Sequence, residues 1–225
     1  MTGKDMNAQD LLLDEIRAEA WGTRQYTGRS AFDERVLAAL REVPREEFVP
    51  SALQHRAYDN LPLPIGHGQT ISQPYIVALM TDLIDPEPGD VVLEIGTGSG
   101  YQAAVLAKLV KRVVTMDIVE ALATQAAARL QRLGYDNVDV RVGNGRLGWP
   151  GHAPYDAILV AAAAPDIPPA LIAQLKPGGT LVIPVGGTHA SQELRVLSKD
   201  GQGRVHERSV LPVVFVPLTG AESSG

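Results

Sequence analysis

Hydrophobic and polar positions follow three successive regimes along the chain. From about residue 8 to residue 53 the apolar residues recur at helical spacing. Leu11, Leu12, Ile16 and Ala20 share one face, and Val36, Leu37, Leu40 and Val43 share another. Pro44 and Pro50 punctuate the end of this region. From residue 54 to residue 72 the period is lost, interrupted by Pro62, Pro64, Gly66 and Gly68, and a long loop is expected. Structureless stretches of that length in compact proteins tend to be functional.

Beyond this loop, short β-branched runs alternate with helical stretches. Strands are expected at residues 91–93, 113–116, 138–142, 157–160 and 181–183. Helices are expected at about 99–110, 120–133 and 169–175, and the turn Lys176-Pro177-Gly178-Gly179 leads into the fifth strand. Near-continuous apolar strands separated by helices predict a parallel sheet covered on both faces. After Pro184, residues 194–197 and 210–216 read as strands joined through Asp200-Gly201-Gln202-Gly203, a hairpin-type connection. The expected class is α/β: a doubly wound, mostly parallel seven-stranded sheet with an antiparallel C-terminal strand pair and N-terminal helices. A polar tail occupies residues 221–225.

Composition narrows the chemistry. The 225 residues suit one domain with a sizeable core, and the formal charge of −6 offers no footing for a phosphate backbone, so no nucleic-acid partner is expected. There is no cysteine, which removes disulfides, thiolate metal sites and cysteine nucleophiles. The five histidines are scattered with no pair at ligand spacing, so no metal is expected. The first ten residues are polar, unlike a signal peptide, and the longest apolar run, residues 157–164, is far too short to span a bilayer. A cytoplasmic protein with no membrane partner is expected.

The most informative turn is Glu94-Ile95-Gly96-Thr97-Gly98-Ser99-Gly100, placed between a strand and a helix. Glycines there remove Cβ atoms and permit positive φ, so that a ligand can approach the backbone. Asp117 ends the next strand, where an acidic side chain can bind both ribose hydroxyls of a nucleoside. A dinucleotide fingerprint would place a small residue at position 101, where the helix packs and a pyrophosphate sits; this chain has Tyr101. Glu94 would repel a pyrophosphate but attract the α-ammonium of a methionine moiety, the alternative being a carboxylate that caps the turn. Asn144-Gly145, after the third strand, can accept a hydrogen bond from an adenine amino group or form a plain strand-end turn.

With these residues in place, the chain resembles the protein-L-isoaspartate O-methyltransferases of bacterial type. The resemblance runs from Val43-Pro44-Arg45-Glu46-Glu47-Phe48 to Val214-Phe215-Val216-Pro217-Leu218. It is most specific over Tyr58-Asp59-Asn60-Leu61-Pro62-Leu63-Pro64-Ile65-Gly66-His67-Gly68-Gln69-Thr70-Ile71-Ser72-Gln73-Pro74. It implies a class I, Rossmann-like methyltransferase fold, with residues 1–72 forming a helical segment and active-site loop of the same domain and residues 73–225 the cofactor-binding core. It implies methyl transfer from S-adenosylmethionine to the α-carboxylate of L-isoaspartyl residues in damaged proteins and peptides, by a monomer. Ser72 is implied at the reaction centre. Ile65, Gly66, His67, Gly68, Glu94, Gly96, Gly98, Gly100, Asp117, Ile118, Asn144, Gly145 and Gln192 are implied around the cofactor. The family usually has Asp where this chain has Asn144, a departure expected to weaken cofactor binding by roughly 1 kcal/mol or less.

Local readings stand beside these roles. Ser72 also reads as the N-cap of a helix carrying Ile76, Val77, Leu79 and Met80. Asp59 reads as a loop-ordering acid, and His67 as a loop or lid residue, since a carboxylate acceptor needs no general base. The main-chain edge at residues 161–164 and Val214-Phe215 are candidates for pairing with an extended peptide. Two other functions fit the turn: an aspartate O-methyltransferase dedicated to one peptide pathway, and a non-catalytic protein that senses S-adenosylmethionine.

Overall fold

The computed structural model describes residues 7–187 and 191–220, and the polar tail at 221–225 lies outside them. Helix α1 (Ala8–Thr27) starts where the Asn7 side chain accepts from the Asp10 amide and ends at Gly28, whose φ of 73° suits a glycine C-cap. Its buried face carries Leu12, Leu13, Ile16 and Ala20, whereas Leu11 is 47% exposed. Leu13 thus takes the place expected for Leu11, because the stripe facing the rest of the molecule is centred one residue further along. Helix α2 (Glu34–Glu42) is capped by Asp33 and buries Val36, Leu37, Ala39 and Leu40. The helical pattern does not continue to residue 53. Two 3₁₀ turns, Arg45–Phe48 and Ser51–Arg56, each follow a proline at the N-cap, Pro44 and Pro50.

The expected loop is partly regular. Strands β1 (Leu63–Gly66) and β2 (Gln69–Ile71) form an antiparallel hairpin whose two-residue turn, His67-Gly68, has positive φ at both residues (53° and 69°). That is the backbone a tight hairpin requires. Leu63 and Ile71 are buried and fix which way the hairpin faces. Only three or four residues long and broken by Pro64, its strands carry too little alternation to read as strands in the sequence.

Then follow α3 (Pro74–Leu83), β3 (Val91–Ile95), α4 (Tyr101–Ala107), β4 (Arg112–Asp117), α5 (Glu120–Arg132), β5 (Val138–Val142), β6 (Tyr155–Val160), α6 (Pro169–Gln174), β7 (Leu175–Val185), β8 (Gln192–Lys199) and β9 (Val205–Val213). The large sheet has seven strands in the order β5-β4-β3-β6-β7-β8-β9. The first five are parallel, and β8 and β9 are added antiparallel. Helix α4 starts later than the pattern suggests, because Gly100 at φ 88° holds the chain out of the helix until Tyr101, and it ends at Ala107, short of the expected residue 110. Strand β7 begins earlier than expected and absorbs the Lys176–Gly179 turn as an irregularity: Tyr155 faces Leu175 but Ala157 faces Thr180.

Alternate strand residues feed two apolar layers. Val92, Val113, Leu159 and Val182 join the cluster that includes α1 to α4, and Leu93, Val114, Ile158 and Leu181 join the opposite one with α6. Strand β5 departs from the expected two-sided burial: it is an edge strand, its residues are half-buried or exposed, and Val142 is 50% exposed. Strand order reverses between β3 and β6, so a crevice opens beyond Ile95 and Val160, where ligands bind in open parallel sheets. No helix among the described residues is long and apolar enough to cross a membrane.

Candidate active site

The crevice is built on the glycine turn. Gly96, Gly98 and Gly100 all have positive φ (96°, 51° and 88°). The amides of Gly96 and Thr97 donate to the carbonyl of Met116, folding the turn back over the end of β4. Asp117 fixes it from the other side. Its Oδ2 accepts from the Gly98 amide at 2.8 Å and its Oδ1 from the Val119 amide at 2.9 Å. Gly96, Gly98, Asp117, Ile118 and Gly145 line the resulting cleft. Gly100 does something else: a Cβ there would lie 3.2 Å from Leu130 Cδ1, so its small size serves the packing of α4 on α5.

Tyr101, whose bulk argued against a dinucleotide, is buried beneath the turn. Its ring stacks edge-on against Phe48 at 5.5 Å, and the Arg45 guanidinium lies 4.7 Å from its centroid.

A recess sharing Thr70, Gly96, Gly98 and Ala161 with this cleft reaches inward to Glu94 and Ser72. Glu94 is fully buried, and neither carboxylate oxygen has a hydrogen-bond partner. It caps nothing, which disposes of the turn-capping alternative. Burial pushes its carboxyl up to about 8, against the opposing pull of the nearby Thr115 hydroxyl, which pairs with Thr97 at 2.7 Å. An unpartnered carboxyl at such a depth is destabilising unless something cationic or a donor meets it. The α-ammonium of a methionine moiety meets that description, and Asp117 at the rim is a carboxylate suited to ribose hydroxyls.

A second, larger cleft of about 550 Å³ adjoins the first, with Thr70, Ala161 and Val216 common to both. It runs between Glu19, Pro62, Tyr75 and the segment from Leu211 to Val216. Ser72 lines this cleft and also the recess that contains Glu94, so the residue stands where the two spaces meet. The N-cap of α3 is Gln73, with Pro74 in the first turn and no side-chain cap bond. Ser72 is therefore not the cap, because the helix begins one residue later than the N-cap reading requires.

Arg45, in the segment from Val43 to Phe48, is a further residue of the site. It is completely buried; Nε donates to Ala57 O at 2.9 Å and Nη2 to Ser72 O at 2.8 Å. Glu46 and Glu47 follow it in the chain, but its acceptors are main-chain carbonyls, so nothing in the pattern announces the role.

Other expected site residues fall differently. Ile65 touches the glycine turn: a Cβ on Gly98 would lie 3.4 Å from its Cδ1. Gly66, His67 and Gly68 form the exposed hairpin tip and do not line the cleft. Asn144 caps the turn at Gly145–Leu147, its Oδ1 accepting from the Arg146 amide at 3.0 Å, while Gly145 itself lines the cleft. Gln192 is buried in the second cleft, where its amide group receives the Phe215 N–H at 2.6 Å and donates to the Phe215 carbonyl at 3.1 Å. Asp59 pairs with Arg56 in the loop at 2.8 Å. The main-chain edge near Ala163 is not open to a peptide. The Ala163 amide donates to Val216 O and its carbonyl accepts from the Leu218 amide, so the chain's own C-terminal segment occupies it.

The family model for protein-L-isoaspartate(D-aspartate) O-methyltransferase matches residues 23–223. The chain belongs to this family. It is 61% identical over 209 residues to protein-L-isoaspartate O-methyltransferase 2 of Polaromonas sp., covering 93% of this chain and 99% of that protein. It is 56% identical to protein-L-isoaspartate O-methyltransferase 2 of Syntrophobacter fumaroxidans, covering 95% and 86%. A solved structure from Plasmodium falciparum, described as a protein-L-isoaspartate O-methyltransferase in complex with S-adenosyl-L-homocysteine, superposes with a TM-score of 0.76 at 25% identity, covering 96% of this chain and 99% of that one. The fold is that of the class I methyltransferases, and the cofactor of this methyltransferase is S-adenosylmethionine.

Proposed function

We propose that this methyltransferase joins its two substrates at Ser72, with S-adenosylmethionine in the glycine-turn cleft and the α-carboxylate of an L-isoaspartyl residue entering from the larger cleft. One observation carries the reading: Ser72 lines both the large cleft and the recess leading to Glu94. When bound, S-adenosylmethionine supplies an electrophilic methyl group on a positively charged sulfur.

The chain's residues have correspondingly little proton chemistry to do. A carboxylate acceptor has a reference pKa near ~3.5 and is anionic at neutral pH, so no general base is required. Glu94 receives the ammonium, Asp117 the ribose hydroxyls, and Ile118 and Gly145 flank the base. Ile65 packs on the turn from the hairpin whose exposed tip is Gly66 to Gly68, and Asn144 and Gln192 order the segments around the two clefts. The Ser72 hydroxyl donates to the incoming carboxylate and turns one oxygen toward the methyl. Alignment of this kind can supply roughly 7–11 kcal/mol of the barrier.

On this reading the enzyme repairs isoaspartyl-containing proteins and peptides as a cytoplasmic monomer, and its charge of −6 gives a nucleic acid no footing. The test is transfer of labelled methyl to an isoaspartyl peptide and to its aspartyl twin of the same sequence. Label is expected in the isoaspartyl peptide alone. Equal labelling of the two, or labelling of neither, overturns the proposal.

A further inference from the structure

The large cleft carries a charge that the methyl transfer does not use. Among the described residues that line it, Glu19 is the one ionisable acid or base apart from the phenol of Tyr75; the rest are apolar or neutral polar. Glu19 comes from α1 and lies before residue 23, where the family match begins. Its carboxylate is fixed in place. Oε2 accepts from Asn60 Nδ2 at 2.8 Å, and Gln73 Nε2 approaches both oxygens at 3.3 and 3.4 Å. Asn60 is itself held, because its Oδ1 accepts from the Tyr75 amide at 3.0 Å.

Two neutral amide donors do not exhaust a carboxylate, which offers about four lone-pair sites. Burial raises its carboxyl above the ordinary value, the two donors favour the ionised form, and among the described residues no cationic side chain pairs with it. Gln73, one of the two donors, is the neighbour of Ser72 in the chain, so the negative charge sits beside the route by which a substrate carboxylate must arrive. A charge there repels a second anion and attracts a cation, and the partly enclosed walls weaken solvent screening.

We infer that Glu19 is a specificity-determining residue that selects isoaspartyl peptides carrying a cationic group, a lysine or arginine side chain or a free N-terminal ammonium, close to the damaged residue, and disfavours those with a neighbouring acid. This rests on the acceptor cleft proposed above.

The experiment uses the full chain and three isoaspartyl peptides that differ only in having Lys, Ala or Glu beside the isoaspartyl residue. The readout is the ratio of kcat/KM for the Lys peptide to that for the Glu peptide, measured within each variant, so it does not depend on how much of a variant folds. For the unaltered enzyme the ratio is expected to be about 10 or more and to shrink as salt rises. In Glu19→Gln it is expected to fall toward 1, and in Glu19→Lys to fall below 1, with the change carried mainly by KM. A Glu19→Gln ratio equal to that of the unaltered enzyme, or no charge preference in the unaltered enzyme, overturns the inference while leaving the methyltransferase reading intact. Failure of the unaltered enzyme to methylate any of the three peptides overturns both.

Discussion

The buried guanidinium of Arg45 donates to the main-chain carbonyl of Ser72 at 2.8 Å and, through Nε, to that of Ala57 at 2.9 Å. One side chain thereby ties the start of the loop to its end, at the residue shared by the large cleft and the recess that contains Glu94. Burial lowers the Arg45 pKa from its ordinary value, and Nη1 has no hydrogen-bond partner, so the guanidinium is retained at an energetic disadvantage. Lysine carries its donors on one nitrogen and lacks the planar fork that meets these two carbonyls from separate, fixed nitrogens. Arg45→Lys is therefore expected to lower kcat about 10- to 100-fold, the scale of a misplaced reacting group. Cofactor affinity, measured by calorimetry, should stay within about threefold. An equal fall in affinity and turnover would point to general loss of structure instead.

Ser72→Ala separates catalysis from helix capping more cleanly than the sequence alone allowed. Since Gln73 occupies the N-cap position and no side chain caps α3, removing the hydroxyl should leave stability within about 0.5 kcal/mol, the usual range for a substitution away from special features. Loss of a donor to the reacting carboxylate should reduce kcat by about 10²-fold. Urea unfolding and single-turnover methyl transfer measure the two separately; a normal rate removes Ser72 from the reaction.

What the sequence made legible follows from what each device needs. Period-2 and period-3.6 patterns are written in many residues, so the strand and helix alternation from Val91 to Ile183 was readable, as was the Asp200–Gly203 hairpin. The turn from Glu94 to Gly100 was readable because positive φ three times over demands a rare residue. The β1–β2 hairpin was not, since Pro64 and two glycines look like punctuation whichever way the chain then folds. Arg45 was hidden for another reason. Its partners are carbonyl groups, and every residue has one. The burial of Glu94 could not be read at all, because an acid at a strand end looks the same whether it faces water or a closed recess.

Gly145 tests the glycine requirement in the lining of the glycine-turn cleft. A Cβ there would lie 2.2 Å from Ile95 Cγ2 and 3.3 Å from Leu218 Cδ1, too close for either to remain in place. Gly145→Ala should destabilise the fold by about 1–3 kcal/mol, the range for overpacking, and weaken cofactor binding at least severalfold. Because the closest clash is with the Ile95 side chain, Ile95→Ala should be non-additive with Gly145→Ala in a double-mutant cycle of thermal stability. Strict additivity would show that the backbone, not Ile95, yields.

Glu94 gives the protein a pH dependence whose sign can be worked out. Its carboxyl sits near 4.5 when unfolded and is raised to about 8 in the folded state without cofactor. Between those values the folded state holds a proton that the unfolded state has released, so stability falls as pH rises. The contribution is fully present below about pH 4.5 and lost as pH climbs through about 8, a decline of a few kcal/mol by linkage. Glu94→Gln, which keeps the shape and removes the titration, should flatten that part of the curve in urea unfolding. Cofactor binding should run the opposite way, because pairing with an ammonium favours the ionised carboxylate. At pH 7 the binding of S-adenosylmethionine is then expected to release close to one proton, read from the difference in calorimetric enthalpy between buffers of different ionisation enthalpy. Affinity should rise about tenfold per pH unit up to about pH 8 and lose that slope in Glu94→Gln. Binding at pH 7 with no proton release would show that Glu94 does not receive the ammonium.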